Sequence, residues 1–369
     1  MKQIACIVGA RPNFMKMAPI LRALEQYSDV QTLLIHTGQH YDALLSDVFF
    51  QELGIRAPDV SLGVGSGSHA TQTAKLLTGL EKTFLDAPDG AGSWSGVVVV
   101  GDVNSTMAAA LTAAKLHIPI AHVEAGLRSF DRRMPEEINR LVTDSISDLL
   151  LVSEPAGVEN LKGEGHSEEK IFLVGNVMID TLLQQVDRAR TRKLLPDLSL
   201  TPGQYCVVTL HRPSNVDHLS VLEGLVQVLE DVSKDLPVVF PVHPRTRGRL
   251  DESGLTARLE AAPDIRLLEP QGYNDFLCLT SQAKVIVTDS GGLQEESTAL
   301  GVPCLTMREN TERPVTVEEG TSTLCGSDAR MLSSCLNDII HGRYKSGRCP
   351  DLWDGHAAVR IAEQIVASW

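Results

Sequence analysis

Short runs rich in Val, Ile and Leu alternate with longer amphipathic stretches along almost the whole chain, and the alternation begins twice. In the first half the runs are Gln3–Val8, Val30–His36, Gly96–Val100, Pro119–Glu124, Asp148–Val152 and Lys170–Val174. Several are nearly unbroken in apolar residues, as expected of strands buried on both faces of a parallel sheet. Between them, residues 14–27, 41–53, 68–86, 104–117 and 135–147 read as helices. A polar, charged, Pro-containing stretch (183–203) resembles a helix end followed by a linker. The pattern then restarts with Tyr205–Leu210, Pro237–Pro241, Ile265–Glu269, Lys284–Thr288 and Pro303–Met307, with helices near 217–234, 273–282 and 291–301. Such βαβ repetition predicts an α/β fold of two Rossmann-like, doubly wound parallel-sheet domains facing a cleft, 1–182 and 183–369. The length, 369 residues, suits two domains. The last helix, 355–369, can pack on either. Ligands in such folds bind at the carboxyl ends of the strands, so a motif counts for more when it falls there.

Charge narrows the partners. The chain has 33 Lys and Arg against 47 Asp and Glu, a formal net charge of −14. It has no broad basic footprint for nucleic acid and is ill suited to anionic lipid, so neither partner is expected. A polyanionic ligand must then be held by a few placed cations and backbone amides. Seven widely spaced cysteines without a CxxC pair argue against a disulfide framework or zinc site and for a reducing cytoplasm. Met1 runs directly into a strand-like segment with no cleavage site, and no apolar run reaches membrane-spanning length.

Six segments at strand ends carry chemistry. In Gly9-Ala-Arg11-Pro12-Asn13-Phe14-Met15-Lys16, two cations flank a helix start, where free N–H groups and the dipole favour an anion. Thr288-Asp289-Ser290-Gly291-Gly292-Leu293-Gln294-Glu295-Glu296 reads as a phosphate cradle. Its glycines let the backbone approach a ligand closely, and Glu296 lies deeper, where a carboxylate can accept from ribose hydroxyls. Asp102 and Glu124 end two strands and can split acid and base roles; their structural alternatives are a helix cap for Asp102 and a Glu124–Arg128 ion pair. His211-Arg212-Pro213 and Pro241-Val242-His243-Pro244 end strands of the second half.

Two further segments carry less. Glu136 and Arg140, four apart on a Pro135-initiated helix, read by spacing alone as a weak surface pair. Gly63-Val-Gly65-Ser-Gly67 misses the dinucleotide fingerprint in spacing and follows no strand, so it reads as a turn, and no nicotinamide site is expected. No HxH, HExxH or DxD metal spacing occurs.

In order, GARPNFMK (9–16), GQH (38–40), GD (101–102), HVEAGLRS (122–129), PEEINR (135–140), GN (175–176) with ID (179–180), HRPSNVD (211–217), PVHP (241–244), TDSGGLQEE (288–296), MRENTERP (307–314) and GT (320–321) span nearly the whole chain. This set resembles the non-hydrolysing UDP-N-acetylglucosamine 2-epimerase family. The resemblance implies a glycosyltransferase-B-like pair of domains, a homodimer, and no cofactor. It implies a reaction in which UDP is eliminated to a 2-acetamidoglucal and re-added after protonation on the opposite face.

By matched position, Asp102, Glu124 and Glu136 would be the acid/base carboxylates, with the base unassigned among them. His211 and Arg11 would stabilise departing UDP, with Lys16 and His243 nearby. Ser290, Gly291 and Gly292 would bind phosphates, Glu296 the ribose, Gln271 and Phe276 the uracil side, and Arg140 and Arg313 sugar or phosphate. Tyr41-Asp42 stands where members activated by a second UDP-sugar carry other polar residues. Pro213-Ser214-Asn215 and Ser322 also depart from the commonest pattern, which fits a different 2-acetamido sugar such as a 2,3-diacetamido uronic acid. The competing readings are a hydrolysing relative, a glycosyltransferase of the same fold and a non-catalytic UDP-sugar sensor.

Overall fold

The computed structural model describes residues 1–39, 53–87 and 90–369, with the Arg11 side chain outside the described atoms. The helix expected over 41–53, His40 and Tyr41-Asp42 lie outside the described residues. The chain divides into two units, Met1–Thr181 with Asp351–Trp369, and Leu182–Pro350.

The first unit carries a seven-stranded parallel sheet in the order β3-β2-β1-β4-β5-β6-β7. Its strands are β1 Lys2–Val8, β2 Val30–His36, β3 Val60–Ser61, β4 Gly96–Val100, β5 Ile120–Val123, β6 Leu149–Val152 and β7 Ile171–Leu173. β4, β5 and β6 are buried at every position, which explains their unbroken apolar composition. The helix Asn104–Lys115 packs Ala108, Ala109, Ala110 and Ala113 into the core without exposure. Small side chains let it lie close to the sheet. The C-terminal segment completes this unit: Lys2 Nζ donates to Val366 O at 2.7 Å. A Cβ on Gly96 would also stand 2.4 Å from the Trp369 ring.

The second unit carries a six-stranded parallel sheet, β10-β9-β8-β11-β12-β13. These strands are β8 Cys206–Thr209, β9 Val238–Pro241, β10 Ile265–Leu268, β11 Val285–Thr288, β12 Cys304–Thr306 and β13 Ser322–Leu324. Val208, Val285, Leu225, Leu229, Leu332 and Leu336 form part of its core. The helix end read from 183 belongs to the helix Val177–Arg190, whose Leu182, Val186 and Ala189 bury an apolar face. Both sheets are doubly wound, as expected.

Chain order reverses between β1 and β4 in the first sheet and between β8 and β11 in the second. Loops diverge at such a point and leave room at the strands' carboxyl ends. The segments beginning at Gly9, Gly101, His211 and Asp289 all emerge there.

Among the described residues, no helix is long and apolar enough to cross a membrane. Among them, too, no group of three His, Cys, Asp or Glu side chains could hold a metal ion. All seven cysteines are free thiols.

Candidate active site

In the first unit the site is built around Gly101, the residue after β4, whose φ of +69° turns the chain sharply into Asp102. A Cβ there would lie 3.3 Å from Lys16 Nζ, 3.5 Å from Glu124 Oε2 and 3.6 Å from Asn13 Nδ2. Two segments therefore close on one glycine. Asn13 fixes the first of them: its amide donates to Val100 O at 2.9 Å, and its Oδ1 accepts from Gly9 N and Ala10 N at 3.2 and 2.9 Å. Lys16 donates to Glu124 Oε2, and both side chains are buried. The other Glu124 oxygen is buried with no hydrogen-bond partner among the described residues. Glu124 also holds φ at +69°, a strained conformation for a residue with a Cβ.

Asp102 does not cap a helix: the helix after it starts at Asn104, with Val103 at the cap and no side-chain bond. Its carboxylate accepts from Arg140 instead, Oδ2 lying 2.7 Å from Nη2 and 3.1 Å from Nε. Arg140 also donates to Glu137 Oε2 at 2.6 Å. Glu137 in turn accepts from Ser129 N and Phe130 N at 2.9 and 3.0 Å, tying down the loop before the helix Pro135–Ile146. The expected pairings Glu136–Arg140 and Glu124–Arg128 are thus replaced. Arg140 turns inward to Asp102 and Glu137, and Arg128 turns to Asp144 and Glu164, each at 2.7 Å.

With Arg140 drawn inward, Glu136 lies beside Asp102 on the wall of a cavity of about 270 Å³, together with Gln39, His69 and Asn104. Ser66 and Gly67, from the glycine-rich turn, close one side of it. A polar chain stiffens the wall: Gln72 donates to Gln39 O at 3.1 Å, Asn104 to Gln72 Oε1 at 2.8 Å, and Asn139 to Asp102 O at 2.9 Å. Sequence reasoning missed His69, Gln72, Asn104, Glu137 and Asn139. Only Glu137 and Asn139 carried a signal, as members of the PEEINR segment.

In the second unit Asp289, fully buried, organises the segment after β8. It accepts from His211 Nδ1 at 2.7 Å, His211 N at 2.9 Å, Arg212 N at 2.8 Å and Asn215 Nδ2 at 3.0 Å. Burial by itself raises this carboxyl, but the His211 ring and the amide donors outweigh it and hold the group below its ordinary range. His211 therefore presents Nε2 outward from a half-exposed ring. The His243 ring stands 5.5 Å from it, and His243 Nδ1 accepts from Arg245 N at 3.2 Å, capping the helix Pro244–Glu252. Burial, then the neighbouring His211, pushes His243 toward its neutral form.

Ser290 precedes the helix Gly291–Leu300 without a side-chain cap, so the free N–H groups of the first turn keep their capacity for an anion. A Cβ on Gly291 would lie 3.1 Å from Arg313 Nη1 and 3.5 Å from Arg308 Nη1, so two guanidinium groups stand over that helix start. Each is oriented by carboxylates. Arg308 makes two bonds to Glu312 at 2.9 and 2.8 Å, and Arg313 Nε lies 2.6 Å from Glu295 Oε1. Glu296, on the next turn, is buried and accepts from Tyr273 Oη at 3.3 Å; burial pushes its carboxyl up to about 8. Gln271 donates to Glu269 O at 2.6 Å, and Phe276 is half-buried on the helix Tyr273–Thr280. Sequence reasoning did not single out Tyr273 and Arg308.

The model of one protein family, described as UDP-N-acetylglucosamine 2-epimerase, matches residues 22–366. A UDP-N-acetylglucosamine 2-epimerase from Methanococcus maripaludis is 43% identical over 346 residues, 92% of either chain. The UDP-2,3-diacetamido-2,3-dideoxy-D-glucuronate 2-epimerase of Pseudomonas aeruginosa is 40% identical over 366 residues, covering 98% of this chain and 99% of that protein. Among solved structures, Methanocaldococcus jannaschii UDP-GlcNAc 2-epimerase in complex with UDP-GlcNAc and UDP superposes with a TM-score of 0.87. It is 40% identical and covers 99% of this chain and all of its own.

Proposed function

The chain belongs to the UDP-N-acetylglucosamine 2-epimerase family, and we propose on that footing that it interconverts UDP-N-acetylglucosamine and UDP-N-acetylmannosamine without releasing free sugar. The observation that carries this reading is the carboxylate arrangement of the first unit. Asp102 and Glu136 share one cavity wall, and Glu124 lies behind Gly101 with one oxygen on Lys16 and the other without a partner among the described residues.

The C2 proton of the sugar has no adjacent carbonyl to acidify it, so direct removal and return is slow. Elimination avoids the difficulty. A carboxylate takes the C2 proton, the C1–O bond breaks with its electron pair leaving on UDP, and a 2-acetamidoglucal remains. Protonation of C2 on the opposite face and re-addition of UDP at C1 complete the epimerisation. This needs an acid and a base near C2 and firm stabilisation of the diphosphate. Asp102, Glu124 and Glu136 supply the first. His211, Ser290, Gly291, Gly292 and Arg313 supply the second, with Arg11, Lys16, Arg140 and His243 as further cations and donors. Glu296 is the ribose acceptor, and Gln271 and Phe276 border the base.

Incubation with UDP-N-acetylglucosamine in deuterated water tests the reading. The expected product is UDP-N-acetylmannosamine carrying deuterium at C2, seen by NMR. Free N-acetylmannosamine and UDP in equal amounts would instead mark a hydrolysing enzyme. Turnover confined to a 2,3-diacetamido uronate would give it the substrate named for the Pseudomonas relative. Binding of UDP-sugars with neither product nor exchange would leave a sensor.

A further inference from the structure

His122 and Asp144 belong to no step of that chemistry, yet both are completely buried in the first unit. His122, on β5, places Nε2 2.9 Å from Gly101 O and Nδ1 2.6 Å from Asp144 Oδ1. A carbonyl only accepts, so Nε2 carries the hydrogen of that bond. Burial by itself raises the Asp144 carboxyl, but His122 and Arg128 outweigh it and hold the group below its ordinary range. Asp144 Oδ2 then accepts from Arg128 at 2.7 Å and from Gly126 N at 3.1 Å. Arg128 is anchored outward by a two-pronged bond to Glu164 at 2.7 Å.

The connectivity of this network is unusual in one respect. Gly101 O belongs to the peptide that leads into Asp102. Gly126 N closes the turn that begins at Glu124. Asp144 itself lies on the helix that carries Glu136 and Arg140. One buried ionic node thus touches all three segments that bear the proposed acid/base carboxylates, and it meets none of the carboxylates directly. The turn has no slack to replace it: a Cβ on Gly126 would stand 2.3 Å from Gly157 O.

We propose that His122 and Asp144 are positioning residues that set the relative placement of Asp102, Glu124 and Glu136, a role that rests on the epimerase reading above. Displacement of a reacting group by about an ångström costs on the order of a hundredfold in rate. His122→Phe removes the donor to Gly101, and His122→Gln keeps an amide donor there. The expected result is a kcat about a hundredfold lower for the Phe variant and partly restored for the Gln variant. KM and the affinity for UDP should stay within about twofold of wild type, because the loss falls on the transition state alone.

Unchanged kcat in His122→Phe overturns the proposal, as does a rise in KM that accounts for the whole effect. If both His122 variants fail to fold, the isosteric Asp144→Asn is the deciding variant: a kcat-specific loss supports the role, and wild-type kcat or a third unfolded variant refutes it. Absence of C2 deuterium exchange in the wild-type enzyme would remove the epimerase reading, and the proposal with it. Exchange in wild type with unaffected variants would remove the proposal alone.

Discussion

Arg140 holds Asp102 at 2.7 Å from a side chain that is only 5% exposed, and the same guanidinium meets the buried Glu137 at 2.6 Å. Removing this cation leaves a buried carboxylate uncompensated and frees Asp102 from its rotamer. Arg140→Met should therefore lower unfolding stability by about 3–5 kcal/mol. Urea unfolding followed by circular dichroism measures it, and a loss below 1 kcal/mol would mean the pair is not buried in solution.

Asp102 lines the cavity beside Glu136, and its charge is the feature that Asn lacks. Asp102→Asn should reduce epimerisation by about 10²- to 10⁴-fold, the usual span for a lost acid/base group. UDP affinity, read by calorimetry, should remain, because the role proposed for Asp102 is acid/base chemistry at the sugar and not contact with UDP. Near-normal turnover would refute the role of Asp102.

Gly291 lies under the Arg313 guanidinium, with room for a Cβ only if that group moves. Gly291→Ala should displace the cation and crowd the amides of the helix start. A roughly tenfold rise in KM for the UDP-sugar is expected, equivalent to about 1.4 kcal/mol, with the fold intact. Unaltered KM would show that the phosphates bind elsewhere.

Burial raises the Glu296 carboxyl from its ordinary 4.5 to about 8. The folded chain therefore binds a proton there that the unfolded chain has already lost, across pH 4.5 to 8. The stability from this group is complete below pH 4.5 and disappears as pH rises through 8. Glu296→Gln is blind to this titration. Between pH 4 and pH 8.5 the wild type should lose stability relative to Glu296→Gln by an amount on the order of a few kcal/mol. Parallel denaturation midpoints for the two proteins at both pH values would contradict it.

Much of the fold was legible because strands buried on both faces must be apolar at every position, as β4 and β6 are. Two strands escaped notice. Val60–Ser61 has two residues and Ser322–Leu324 three, too short for any period to register. Of the helix Val177–Arg190 only the charged end was legible, and its inward face at Leu182, Val186 and Ala189 was not. The candidate site was legible where chemistry coincides with a strand's end, at Asp102, Glu124, His211 and Ser290. It was illegible at His69, Gln72 and Asn104, polar residues on ordinary helices that matter only through the wall they form.

The sequence by itself determined the two doubly wound sheets, the order of the motifs, and which glycines and acids stand at strand ends. The tertiary structure decided who pairs with whom. Lys16 went to Glu124, Arg140 to Asp102 and Glu137 rather than Glu136, and Arg128 to Asp144 and Glu164 rather than Glu124. Spacing along one helix says only which side chains are neighbours on that helix. A buried charge must find a partner wherever the fold brings one within about 3 Å, and for Lys16 with Glu124 and Arg140 with Asp102 that partner lies on another segment, far away along the chain.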